Sequence, residues 1–112
     1  MKHKMISLLM NRYLTGLADE FDLVYHQQDV VLDHQCLMGR NGRLWITSNR
    51  LGFDISLSGQ SLIGEMTGFM EKLTGHPATG SKQTNYWVPF WRVSDWELVR
   101  AAAERYSMTR KP

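Results

Sequence analysis

A chain of 112 residues with 43% hydrophobic and 21% charged residues is long enough to bury a core and too apolar to stay disordered. Its formal charge of +2 is too small by itself to argue for a polyanionic partner. A single cysteine, Cys36, excludes an internal disulfide and fits a reducing compartment. No apolar run reaches the length of a bilayer span. The basic-then-apolar start is interrupted by Asn11 and Arg12 with no small-residue cleavage site after it, so it reads as a cytoplasmic helix rather than a signal peptide. The expectation is one domain over residues 1–112, without membrane attachment, metal or cofactor.

Ile6, Leu9, Met10, Tyr13, Leu14 and Leu17 recur at i, i+3, i+4, i+7, i+8 and i+11, which predicts an amphipathic helix over about residues 5–18. Gly16 weakens its last turn. Residues 21–26 alternate Phe, Leu and Tyr with Asp, Val and His, the pattern of a half-buried strand. Gln27 and Gln28 read as a turn, with residues 29–33 returning. Cys36-Leu37-Met38 and Leu44-Trp45-Ile46 flank Gly39-Arg40-Asn41-Gly42, and Asn-Gly tolerates the positive φ angles of a type I′ hairpin turn. Ser48-Asn49-Arg50 makes the next turn. Phe53, Ile55 and Leu57 then alternate with Asp54, Ser56 and Ser58 in a strand with one wet face.

Gly59 ends this meander of three or four strands. Leu62, Ile63, Met66, Phe69, Met70 and Leu73 resume helical spacing, with Gly75 placed to terminate the helix and Pro77 beyond it. Gly64 and Gly68 lie four apart and predict close approach of this helix to a sheet. Residues 76–84 form the longest polar stretch and read as a mobile loop.

Residues 84–107 carry three of the four tryptophans, Trp87, Trp91 and Trp96. Aromatic and β-branched enrichment predicts a strand over residues 86–93, and Pro89, which lacks a backbone donor, assigns it to a sheet edge or a bulge. Ser94 and Glu97 have capping-box spacing for a final helix, whose buried face is Trp96, Val99, Ala102 or Ala103, and Tyr106. The fold class is therefore α+β: a four- to five-stranded antiparallel sheet, a meander, with N-terminal, central and C-terminal helices packed on one face.

No assembled chemistry is visible. Gly75-His76-Pro77-Ala78-Thr79-Gly80-Ser81-Lys82 nearly spells a phosphate-binding loop, but Ser81 and Lys82 are in reversed order and the stretch leaves a helix rather than opening one. His26, His34 and Cys36 are the nearest approach to a metal set and lack a fourth ligand. Asp33, His34 and Cys36 have the residue types of a nucleophile site, yet neighbours along a strand point to opposite faces. A small enzyme of unstated class is the remaining alternative.

The residues favour a binding module. Its surface would centre on Trp87, Trp91 and Arg92, with Trp45 a neighbour, because tryptophan and arginine most often carry interface energy. A protein partner is the first expectation, in the manner of phage or mobile-element accessory proteins that bind and inhibit a host factor, or a second copy docked through the 84–93 edge strand. The alternative is an RNA or single-stranded DNA binder using the same aromatics with Arg40, Arg43 and Arg50.

Overall fold

The computed structural model describes residues 2–29, 34–49, 52–83 and 86–110, with side chains described outside residues 2–7, 28–29, 34, 49, 81–83 and 86–88. The elements run α1 (Lys2–Phe21), β1 (Val24–Asp29), β2 (His34–Met38), β3 (Arg43–Asn49), β4 (Gly52–Ser58), α2 (Gln60–Thr74), β5 (Thr79–Gln83), β6 (Tyr86–Val93) and α3 (Trp96–Ser107). The strands form one antiparallel sheet in the order β1-β2-β3-β4-β6-β5.

Pleat alternation sorts this sheet into two faces. Register aligns Gln35, Ile46, Ile55 and Trp91 in one row, Tyr25, Leu37, Leu44 and Leu57 in the next, and Ser48, Phe53 and Val93 in a third. These rows carry the buried apolar side chains of the sheet and join Met10, Leu14 and Leu17 of α1, Leu62, Met66 and Met70 of α2, and Val99, Ala102, Ala103 and Tyr106 of α3 in one core. Helix α1 covers β1 to β3, α2 covers β4 and β6, and α3 rests against both helices. All three helices thus pack on one face.

Local chemistry sets where the helices stop. Asp22 takes a left-handed φ of 56°, and the Leu23 amide donates to the Ala18 carbonyl at 2.8 Å, a Schellman closure in which aspartate stands where glycine is usual. Gly75 ends α2 at φ 80°, with its amide donating to the Glu71 carbonyl at 2.9 Å. Helix α3 is capped by Asp95, whose Oδ1 accepts from the Glu97 amide at 2.9 Å. The capping residue is therefore Asp95 and not Ser94.

Several expectations are corrected. Helix α1 runs through Gly16 to Phe21, and β1 begins only at Val24, so Gln27 and Gln28 are strand and not turn. Ser48 and Asn49 likewise belong to β3. In the β2–β3 connection only Gly42 has positive φ, at 50°, so the turn is not type I′. Asn41 is instead buried, its Nδ2 donating to Glu65 Oε1 at 3.3 Å. Gly64 and Gly68 face solvent, with nothing near a would-be Cβ, so they do not mediate close helix–sheet contact. Residues 79–83 are strand β5, which pairs along the outer side of β6. Strand β6 is therefore interior and not the edge strand expected from Pro89. Pro89 lies one residue beyond the end of the β4–β6 ladder at Ser56 and Phe90, and opposite Gly80 of β5.

Two aromatic side chains lock the helical layer. Trp96 sits between Tyr13 of α1, at a ring-centroid distance of 4.7 Å, and Phe53 of β4, at 4.4 Å. Tyr106 reaches the β2–β3 turn, where its hydroxyl accepts from the Gly39 amide at 2.5 Å and donates to the Gly42 carbonyl at 2.9 Å.

Trp91 is fully buried, and its indole N–H has no acceptor among the described residues. Trp91→Ala should therefore cost roughly 3–5 kcal/mol through the cavity it leaves. Trp91→Phe should cost distinctly less, because it also removes an unpaired buried donor. Urea unfolding of both variants checks the order.

Burial raises the phenol pKa of Tyr13, Tyr25 and Tyr106. The fold thus favours the neutral phenol. Above about pH 10, where an unfolded tyrosine ionises, the unfolded chain releases protons that the folded chain keeps. Stability is fully present below that pH and should fall as pH rises through it. Chemical unfolding on either side of the transition measures the slope, which should be shallower in Tyr106→Phe.

Candidate functional site

Among the described residues, the opposite face of the sheet carries no helix. Register places His26, Cys36, Trp45, Ser56, Phe90 and Thr79 in one row across it. Val24, Met38, Arg43 and Ser58 form the row toward one end, and Thr47, Asp54 and Arg92 the row toward the other. Trp45 and Phe90 are both half-buried there, on the strands that flank β4.

The β4 sequence makes this arrangement possible. Its outward positions are Asp54, Ser56 and Ser58, so two serines lie between the aromatic rings. The Trp45 indole reaches across toward β4, its Nε1–H donating to Ser58 Oγ at 3.0 Å. Ser56 Oγ donates to the Pro89 carbonyl at 3.0 Å and is held low on the sheet. The Arg43 guanidinium stands 6.0 Å from the centre of the Trp45 ring, within cation–π range.

Carboxylates divide unevenly between the two sides. Among side chains described, Asp54 is the only carboxylate on the helix-free face, and it is already bound by Arg92 through Nε–Oδ1 at 2.9 Å and Nη2–Oδ2 at 3.2 Å. That pairing raises the Arg92 pKa further. Asp19, Glu20, Glu65, Glu71, Asp95, Glu97 and Glu104 all lie on the helices or the α3 cap. Glu20 there forms a two-point ion pair with Arg100, which lowers its pKa.

The residues singled out from sequence separate in space. Trp91 is core, because alternation in an interior strand sends it to the helix side with Ile55; it cannot be a surface anchor. Trp87 lies within β6 opposite Lys82, with its side chain outside the described residues. Arg50 also lies outside them. Trp45, Arg43 and Arg92 share the helix-free face, and Arg40 projects from the β2–β3 turn. Sequence reasoning missed Phe90, Ser56 and Ser58. The signal was the run of small polar residues at alternate β4 positions, which leaves room for large neighbours.

Cys36 and His26 are directly opposed on β1 and β2, but no three His, Cys, Asp or Glu side chains converge as metal ligands among the described residues. The near phosphate-loop motif resolves into the end of α2 and the start of β5, with Gly75 serving as the helix terminator. No helix among the described residues is long and apolar enough to cross a membrane.

No protein-family model, curated protein or solved structure matches this chain.

Cys36 is fully buried although it lies on the face without helices, between the neighbouring side chains of its row. That burial raises its thiol pKa, against a smaller lowering by Arg43. The native thiol should therefore resist a disulfide-exchange reagent at mildly alkaline pH and react fully only in denaturant. Rapid native reaction, followed by absorbance of the released thiol, would show that the row opens.

Proposed function

We propose that the protein is a binding module that holds single-stranded nucleic acid on the helix-free face of its sheet. The observation that carries this reading is the row Trp45–Ser56–Phe90 with Arg43 beside the indole. Two strand spacings separate the aromatic positions, about 10 Å, with a serine between them. Bases stack on such rings without sequence preference, at roughly 1–3 kcal/mol each. Among the described residues Arg43 and Arg40 have no carboxylate partner and are placed for phosphates, while the one carboxylate described on the face is neutralised by Arg92.

The protein-partner expectation loses two supports, the Trp91 anchor and the free β6 edge. It keeps one separate observation, the adjacent Leu8 and Leu9 on α1, which are 66% and 53% exposed. A protein seated there, including an inhibited host factor, is the second reading.

Fluorescence anisotropy of labelled single-stranded RNA, single-stranded DNA and duplex DNA at low and moderate salt tests the proposal. Single strands should bind with an affinity that falls steeply with salt. Trp45→Ala should weaken binding about tenfold or more, and Arg43→Ala should reduce the salt slope by about one. Absence of binding even at low salt sinks the nucleic-acid reading, and the next comparison is partner capture by wild type and a Leu8→Asp variant.

A further inference from the structure

At one end of the sheet the helix-free face runs into a cleft of about 720 Å³. It lies where α1 gives way to β1, β2 reaches its turn, and the chain leaves α3. This volume falls in the range of small-molecule sites, roughly 300–1,000 Å³. Its apolar wall includes Val24, Met38 and Met108, of which Val24 is 58% and Met108 64% exposed. Large apolar side chains left this open around a concavity are a surface that a ligand can cover. Val24 and Met38 belong both to the cleft and to the row of Arg43 on the sheet, so the two surfaces are continuous.

The polar side of the cleft is cationic. Arg40 and Arg110 line it, and neither side chain is engaged in an ion pair or hydrogen bond with a described residue. Asp22 is the one carboxylate of the lining, which leaves one positive charge uncompensated. The last turn of α3 also lines the cleft, and its carbonyls disfavour an anion placed against them. An anionic group is therefore best held at the two guanidinium forks, away from the helix axis.

We propose that this cleft is a nucleotide site, with the base against Val24, Met38 and Met108 and the phosphate held by Arg40 and Arg110. For the identity of its ligand the inference rests on the nucleic-acid reading of the sheet face. The nucleotide is either free in solution or the terminal unit of a strand lying on the sheet. Methionine thioethers suit the first half of this task, because they are polarizable and adapt to a flat ring. A point of entry next to Arg43 lets a strand pass from the cleft to Trp45 without leaving positive surface.

The test is a titration of methyl-labelled methionine protein with cytidine 5′-monophosphate, cytidine and ribose 5-phosphate, followed by NMR. The monophosphate should shift the Met38 and Met108 methyl signals saturably, and cytidine and ribose 5-phosphate should each bind at least about tenfold more weakly. Met108→Asp and Arg110→Glu should each weaken the monophosphate by a similar factor. Both cleft positions are exposed, and circular dichroism checks that the variants fold. A terminal-nucleotide role predicts that a 5′-phosphorylated oligonucleotide outcompetes its unphosphorylated form and loses that advantage in Met108→Asp; a free-nucleotide role predicts no such advantage. No shift at Met38 and Met108 overturns the cleft site, even where oligonucleotides still bind the sheet. Monophosphate binding without any oligonucleotide binding keeps the cleft and removes the sheet-face reading instead.

Discussion

The burial of Trp91 against the helical layer is the contact on which the arrangement depends. It stands in register with Ile55 and Ile46, so three adjacent strands present a continuous apolar row to the helices. An indole is the largest side chain available to fill that row, and here it fills it completely. Leaving its N–H unpaired costs on the order of 1–3 kcal/mol, which the area buried by a ring of this size offsets. The same placement commits β6 to the interior of the sheet, and β5 then covers the side that β4 does not.

Commitment of one face to the core defines the other. With Leu44, Ile46, Ile55 and Leu57 turned toward the helices, alternation requires Arg43, Trp45, Ser56 and Ser58 to point away from them. The acidic residues follow the helices, where Glu20 and Arg100 tie α1 to α3. Among the side chains described, the sheet side is left with arginines and a single bound carboxylate. The aromatic, mildly cationic face is therefore a result of that alternation pattern, while the helical side carries carboxylates and cations together.

Much of this was legible in the residues. Helical spacing located α1, α2 and α3, alternation located β4, and Asn41-Gly42 located the β2–β3 hairpin. Each of those signals is local, which is why it survives folding. Three things were not local. The strand character of Thr79–Gln83 comes from pairing with β6, since its own polar, glycine-containing sequence has no apolar alternation. Pro89 argued for an edge, but what matters is where the neighbouring ladder stops, and that depends on the register of β4. Trp91 looked like a surface anchor beside Trp87 because proximity in sequence says nothing of which face a pleat selects. Of the candidate site, Trp45, Arg43 and Arg92 were identified from residue type, while Phe90 and the two serines acquired meaning only from cross-strand alignment.

Strand order also bears on how the chain assembles during synthesis. Strands β1 to β4 pair with their sequence neighbours and can form as soon as they are made. Strand β4 must then wait while α2 and β5 are synthesised before β6 arrives to occupy its second side. Until that point its outer backbone groups, beside Phe53 and Ile55, form an unpaired apolar edge of the kind other chains can add to. The interior position of β6 thus makes the last third of the polypeptide the guard against misassembly of the first two.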